Sequence, residues 1–536
     1  MKPPAGHIEV PIQELRDLLK GARDKLGAEG YRKLKAAIDT LAYLTSLIED
    51  QNTTIQKLRE LLRTPASTEK TEKVLEKAGL KSEAENTAGR KTPERKPRKG
   101  HGRHGAGAYK AARRVFVPHT SLSSGDRCPK CKEGKVYAQR DPGVLVRLVG
   151  RAPIEASVYE LEKLRCGLCL EVFTAQAPPE AGDKKYDETA ASMMALLKYG
   201  NGVPFYRLDT LESNLGIPLS PSTQWGIVKA TAEPLRPALE ELIRQAAQGK
   251  VLHNDDTKAR VLSLRRDQPE KGDDRTGVFT SGIVATTEGW KAALYFTGRQ
   301  HAGENLADVL KRRATDLSPP IQVSDALSRN APKRAGLTVL TAYCNAHGRR
   351  QFVEITASFP EECRYVLESF RAVYHNDALA EEQKLSPEDR LRFHEEHSGP
   401  VMKELHQWME TQFAERRTEP NSGLGKAIAY LLRHWTKLTL FLREPGVPLD
   451  NNIVERSLKL AIRNRKNALF YKTLKGAAVG DLFMSLIHTC QLNDANPFDY
   501  LTELQRHAAE LKQTPSEWMP WNYRETLARL AMPAAA

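Results

Sequence analysis

Apolar residues recur along this chain with different periods, and each period marks a different kind of segment. Leu34, Leu41, Ile48, Ile55 and Leu62 stand at seven-residue steps, with Ala37, Leu44, Gln51 and Leu58 three residues after the first four. A repeat of this kind over about four heptads predicts a coiled coil and hence a homo-oligomer. A single amphipathic helix packed on its own protein would show the same face. Residues near 185–240 carry helical spacing. From Gly249 onward short apolar runs appear at Val251-Leu252, 278–286 and 292–297, followed by a helical stretch over 304–313 and further runs at 321–323 and 337–343. Strands, then a helix, then more strands predict an α/β layer. Residues 360–445 return to helical spacing and interrupt that layer.

The last helix of this layer is predicted to start near Asn452, with Asn452 or Asp450 as its N-cap. Glu455 then lies in its first turns, and Leu458, Ile462 and Leu469 continue the same face. Arg456, Lys459, Arg463 and Lys466 recur one residue out of phase and form a neighbouring basic stripe. A carboxylate on the core side of a cationic flank suits chemistry on a nucleic-acid backbone. The same Asn452-x-x-Glu455 spacing also fits a capping box, in which Glu455 bonds the helix start.

Composition changes the picture in two ways. A formal net charge of +14 points to a polyanionic partner, with a merely solvated basic surface as the alternative. Neither a membrane-spanning run of roughly 18 apolar residues nor a signal-peptide pattern is evident, so a cytoplasmic, reduced setting is expected, with no membrane partner. Seven cysteines in that setting read as metal ligands or buried thiols. Cys128-Pro-Lys-Cys131 and Cys166-Gly-Leu-Cys169 form two CxxC knuckles. Four thiolates converging on one Zn²⁺ leave no open position, so Cys128, Cys131, Cys166 and Cys169 predict a structural zinc site in a ribbon. Free thiols or a redox pair are the alternatives.

The whole is a multidomain α+β protein of 536 residues. Its expected parts are a coiled-coil, leucine-zipper-like segment (1–65), a basic flexible linker (66–112) and a zinc ribbon (113–182). A helical, helix-turn-helix-like segment follows (183–246), then the first part of the α/β core (247–359), a helical insertion (360–446), the second part of the core with Glu455 (447–490) and a tail (491–536). Within 183–246, Ser220 is the expected N-cap of a second helix after the break at Gly216-Ile217. That pair either reads DNA or serves packing alone.

The candidate chemistry lies at predicted strand ends. The first strand of the layer ends at His253-Asn-Asp-Asp-Thr257 and a later one at Val323-Ser-Asp325. Carboxylates there can converge at one rim of a sheet. With Glu455 they make an Asp/Asp/Glu set suited to hard Mg²⁺ ions in an in-line displacement. Ordinary turn chemistry accounts equally for each Asp taken alone.

Several ordered motifs resemble the transposases of the IS66 family of bacterial insertion sequences. They are His253-Asn-Asp-Asp-Thr257, Cys344-Asn-Ala-His-Gly-Arg-Arg350, Pro448-Leu-Asp-Asn-Asn-Ile-Val-Glu-Arg456 and Arg465-Lys-Asn467. Lys198-Tyr199, Pro204-Phe-Tyr-Arg207, Trp225 and Met519-Pro-Trp-Asn-Tyr523 also fit, as does the order of heptads, basic arm and knuckles. The resemblance implies a ribonuclease-H-like catalytic domain with the triad Asp255, Asp325 and Glu455, holding two Mg²⁺ ions for which Mn²⁺ can stand in. Two departures stand out. Asp256 replaces the usual Glu, which leaves Asp255 and Asp256 as alternatives, and Ala326-Leu327 replaces the familiar Gly-Tyr. The Cys344-x-x-His347 motif can form half a metal site. The expectation is that His347 orients phosphate or the carboxylates, against a packed Cys and a hydrogen-bonded core His. Arg349, Arg350 and the stripe Arg456, Lys459, Arg463 and Lys466 are the expected phosphate contacts.

The function so implied is a DNA transposase that binds the element's terminal repeats, cleaves them and transfers the strand into target DNA. Its partners would be those DNAs, a second copy of itself and accessory proteins of the same element, in the bacterial cytoplasm. A metal-dependent nuclease or resolvase without joining, or a non-catalytic DNA-binding protein, are the alternatives.

Overall fold

β-branched and aromatic runs build one mixed sheet, and the residues that close it lie far away in the chain. The computed structural model describes residues 12–22, 27, 29–40, 70–77, 114–137, 145–147, 152–165, 169, 171–264, 275–333 and 338–531. Residues 29–40 are helical, carrying Leu34 and Ala37. The heptad positions from Leu41 to Leu62, most of the basic linker, and Cys166 lie outside the described residues; within the expected linker, Thr71–Lys77 is instead a helix whose Val74 and Leu75 are buried in the core. The chain divides into two compact units, one of Met1–Ser82, Gly182–Asp209 and Leu219–Ala536, the other of Glu83–Ala181 and Thr210–Pro218.

In the smaller unit the first knuckle is a tight turn. The Cys128 N–H donates to the Gly134 carbonyl at 2.7 Å and the Lys132 N–H to the Cys128 carbonyl at 2.8 Å, with Lys132 at φ 61°. Two short strands, β1 (Lys163–Arg165) and β2 (Val172–Thr174), pair antiparallel on either side of the second knuckle.

The larger unit starts with α1 (Ile12–Gly21) and α2 (Thr71–Lys77), followed by α3 (Glu188–Ala195) and α4 (Phe205–Asn214), which runs on into the smaller unit. Then come α5 (Pro221–Ala232) and α6 (Arg236–Ala246). Ser220 caps α5 as expected, its Oγ accepting the Thr223 N–H at 3.3 Å. The sheet follows: β3 (Val251–Lys258), β4 (Phe279–Thr286), β5 (Lys291–Gly298), then α7 (Ala302–Leu310), β6 (Ile321–Ser324) and β7 (Leu340–Tyr343). Its strand order is β5-β4-β3-β6-β7. The β3, β4 and β5 strands are antiparallel neighbours, whereas β6 and β7 run parallel to β3.

After β7 the chain enters α8 (Asn345–Ile355), α9 (Pro360–Glu382), α10 (Pro387–His397), α11 (Gly399–Ala414) and α12 (Gly423–Leu438). The α8, α9, α11 and α12 helices share a core with β6 and β7, in which Val323, Phe352, Phe370, Leu405 and Ile428 are fully or almost fully buried. The sheet is completed by α13 (Asn452–Ala468) and α14 (Leu474–Leu492), and α15 (Pro497–Arg506) follows.

The α14 helix solves the edge problem of β5. Outward N–H groups of Ala293, Tyr295 and Thr297 donate to Thr489 Oγ1 (3.0 Å), Ser485 Oγ (3.0 Å) and Asp481 Oδ2 (2.7 Å). Four helical residues rise about 6 Å and two strand residues about 6.8 Å, so the two repeats stay in step over this length. An edge that would otherwise template pairing is thereby covered. Among the described residues no helix is long and apolar enough to cross a membrane.

Candidate active site

The polar half of β3 remains in the ladder, pairing as far as Lys258 with Phe279. Successive residues of a strand point to opposite faces, so Asp255 and Asp256 have separate surroundings. Asp256 is taken up: its side chain is 2% exposed, with Oδ2 2.8 Å from His301 Nδ1 and Oδ1 3.5 Å from Arg329 Nη2. Asp255 instead meets Asp325, which directly follows the parallel strand β6. The amide of Asn330 donates to both, at 3.3 Å to Asp255 Oδ1 and 2.5 Å to Asp325 Oδ1.

Asn330 is itself held. Its carbonyl accepts from Asn254 Nδ2 at 2.8 Å and from Gln322 Nε2 at 3.2 Å. Burial pushes the Asp255 carboxyl up to about 7; the negative charges of Asp325 and Asp256 add to this, while the Asp256 N–H and the Asn330 amide oppose it. Such a carboxyl is only about half ionised at neutral pH, and a cation beside it would favour the charged form.

Glu455 is carried by the first turn of α13, whose N-cap is Asn451 rather than Asn452 or Asp450. The helix starts there because Asn451 is tied to three places. Its Nδ2 donates to the Asn254 carbonyl at 3.1 Å, its Oδ1 lies 3.1 Å from His253 Nδ1, and its N–H donates to Cys344 Sγ at 3.2 Å. Asp450 accepts the Asn452 N–H at 3.0 Å. The Asn452 N–H is thus taken by Asp450, and Glu455 Oε1 has no hydrogen-bond partner among the described residues, so the capping-box alternative does not describe this helix start. Burial pushes His253 down to about 4, which keeps it neutral beside Asn451.

The same helix lies on β4 at Gly282, the register partner of Asp255. A Cβ there would come within 2.9 Å of Leu458 and 3.3 Å of Val454, so a side chain at this position would press on α13 and Leu458 would have to give. His347, on α8, places Nδ1 3.7 Å from Glu455 Oε1. Cys344 is buried, and burial pushes its thiol up to about 12. Asp255 and Asp325 thus form one group, Glu455, His347 and Cys344 a second, and Asn451 joins the strand of the first to the second.

Other expected residues are placed as follows. Arg456, Lys459, Arg463 and Lys466 are exposed along α13. Arg349 is half-buried and donates to Thr71 Oγ1 at 3.3 Å, and Arg350 is ion-paired with Glu354 at 2.9 Å. Leu469 departs from the expected face. The helix ends at Ala468, Leu469 takes φ 66°, and the chain turns to pair Tyr471 with Arg260 and Leu262, leaving Leu469 63% exposed. The Arg465-Lys-Asn467 motif is mainly an anchor: Asn467 donates to the Gly202 carbonyl at 2.9 Å, and Arg465 donates to Thr257 Oγ1 at 3.2 Å and to the Lys258 carbonyl. In the smaller unit the backbone N–H groups of Gly134 and Glu133, with Cys128, hold the Cys131 thiol below its ordinary value.

Asn330, Asn451, Gly282 and the His301–Arg329 pair were not singled out by sequence. The doublet Asn451-Asn452 was a signal for the second. The others read as loop or strand residues until the chain is folded.

Residues 185–479 match the family described as "Transposase IS66 family". The chain is also 27% identical over 397 residues to "Uncharacterized protein y4hP" of Sinorhizobium fredii (strain NBRC 101917 / NGR234), an alignment covering 70% of this chain and 69% of that protein. It is 28% identical over 367 residues to "Uncharacterized protein y4jD" of the same strain, covering 66% and 69%.

Proposed function

The chain belongs to the IS66 transposase family, which implies DNA binding and a transposition-related function, and from that premise we propose that Asp255, Asp325 and Glu455 are its catalytic triad. The observation that carries this reading is the Asn330 amide shared by Asp255, within β3, and Asp325, just after its parallel neighbour β6. The sheet order supports a ribonuclease-H-like core: three antiparallel strands extended on one side by two parallel ones. The donor set fits a hard divalent cation, because a buried carboxyl raised to about 7 beside a second carboxylate has an amide as its shared donor. Asp255, Asp325 and Glu455 would hold two Mg²⁺ ions, or Mn²⁺ in their place, which supply charge neutralisation and activation of the attacking oxygen.

The chain's own residues have distinct tasks. Asn330 keeps the two aspartates converged, and Asn451 sets the start of the helix that carries Glu455. Arg456, Lys459, Arg463 and Lys466 would run beside the DNA phosphates. In the first step water attacks the phosphodiester at an element end and the 3′ oxygen leaves as a hydroxyl. In the second, that hydroxyl attacks a target phosphodiester and displaces the target's own 3′ oxygen. Cys128, Cys131, Cys166 and Cys169 would hold a structural Zn²⁺, and the N–H groups aimed at the Cys131 sulfur favour the thiolate this requires. The zinc ribbon and the segment around α4 and α5 would bind the terminal repeats. The heptads would pair protomers, with accessory proteins of the element as further partners.

The test is incubation of the purified full chain with linear DNA bearing the gene's native flanks, with Mg²⁺ or with EDTA. The expected result is Mg²⁺-dependent nicking at the flank borders together with joined products. Nicks without joining would reassign the protein as a nuclease. Binding with no metal-dependent cleavage would overturn the catalytic reading.

A further inference from the structure

Where α13 meets α8, two buried polar atoms face each other. His347 Nδ1 and Glu455 Oε1 are 3.7 Å apart, beyond hydrogen-bond reach, and neither has a hydrogen-bond partner among the described residues. Leaving a buried donor or acceptor unpaired is costly, so a pair of them on facing elements calls for a third body. Cys344 completes the group: ligand atoms of Cys344, His347 and Glu455 all lie within 4.8 Å of one another.

We propose that Cys344, His347 and Glu455 form a binding site for a zinc-class divalent cation, with three protein ligands and one open position. Sulfur bonds of about 2.3 Å and nitrogen or oxygen bonds of about 2.0–2.2 Å around a tetrahedral ion separate the ligand atoms by roughly 3.3–3.8 Å. The 3.7 Å gap between His347 and Glu455 lies within a few tenths of an ångström of that spacing, so a small side-chain adjustment closes the group on an ion. Thiolate, imidazole and carboxylate together select Zn²⁺ or Co²⁺ over Mg²⁺, which prefers an all-oxygen octahedron. The positions are also fixed from outside: the Asn451 N–H donates to Cys344 Sγ at 3.2 Å, which orients the sulfur as a hydrogen-bonded metal ligand is oriented. The site differs from the two CxxC knuckles in having an open position and a carboxylate. It also has a consequence that rests on the catalytic reading: an ion here engages Glu455, so Zn²⁺ would inhibit Mg²⁺-dependent cleavage.

The test is Co²⁺ titration of the metal-stripped full chain, following sulfur-to-cobalt charge-transfer and visible ligand-field bands, alongside Cys344→Ser and His347→Gln. Circular dichroism melting establishes that each variant is folded, and two independent variants protect against a loss that comes from misfolding. Wild type should bind one Co²⁺ more than either variant, whatever the knuckles hold, and the difference spectrum should report a single thiolate ligand. Equal stoichiometry in wild type and a folded variant would overturn the site. Because this readout is binding alone, it can fail while the triad stands, and the triad can fail while it stands.

Discussion

Gly282 and Asp255 face each other across the β3–β4 ladder, and the bare backbone at Gly282 is where Val454 and Leu458 of α13 rest. One residue therefore sets the depth of the helix that carries Glu455 relative to the strand that carries Asp255. Gly282→Val should lift α13, destabilise the protein by about 1–3 kcal/mol and reduce cleavage by at least tenfold. Gly282→Ala should do less, because Leu458 can yield. Thermal melting with cleavage assays checks both, and full activity in a folded Gly282→Val protein would refute the coupling.

Asn330 acts on the two aspartates at once. Replacing it with Ala removes both hydrogen bonds and leaves Asp255 and Asp325 free to move apart, a loss of about 1–3 kcal/mol. The expected outcome is a fall in cleavage of roughly 10–100-fold, partly recovered by raised Mg²⁺. Titrating the rate against Mg²⁺ for wild type and Asn330→Ala measures it.

The raised Asp255 carboxyl makes a pH prediction. Its folded value of about 7 lies above the ordinary carboxylate value, so between the two the folded protein holds a proton that the unfolded chain releases. The stability this confers is complete below the ordinary value and is lost as pH rises through about 7. Asp255→Asn should therefore melt higher than wild type at pH 8 in EDTA, by an amount on the order of 3 kcal/mol, and show little gain near pH 4. Cleavage by wild type should increase with pH through about 7 as the carboxyl is freed for the cation.

Asp255 and Asp256 are separated by one peptide bond and by opposite roles. Asp256 is already paired with His301 and Arg329, so Asp256→Asn should lower the melting temperature while leaving measurable cleavage. Asp255→Asn should abolish cleavage while the protein stays folded. Parallel melting curves and cleavage assays on the two variants distinguish these outcomes, and the reverse pattern would exchange the assignments.

Much of this layout was legible because it is local. Apolar runs marked β4, β5, β6 and β7, and helical spacing over 360–445 marked α9 to α12, whereas α8 was not marked. The polar end of β3 was harder, since His253 and Asn254 are buried by Asn451, which lies almost two hundred residues further on. Asp481, Ser485 and Thr489 were not singled out by sequence, although their four-residue spacing is what seals the edge of β5. Leu469 obeyed the helical period but not the helix, because the pairing of Tyr471 with Arg260 turns the chain first. No local signal could have told Asn330 from an ordinary turn Asn; its role exists only once β3 and β6 lie side by side.

The central claim, that Glu455 completes a catalytic triad with Asp255 and Asp325, is tested most directly by mobilisation. A marker between the gene's native flanks is supplied in trans with wild-type protein or with Glu455→Gln, together with any accessory genes of the element. New insertions with wild type and none with Glu455→Gln, at equal expression and equal binding to the flanks, is the predicted result. Insertions at an undiminished frequency with Glu455→Gln would contradict it.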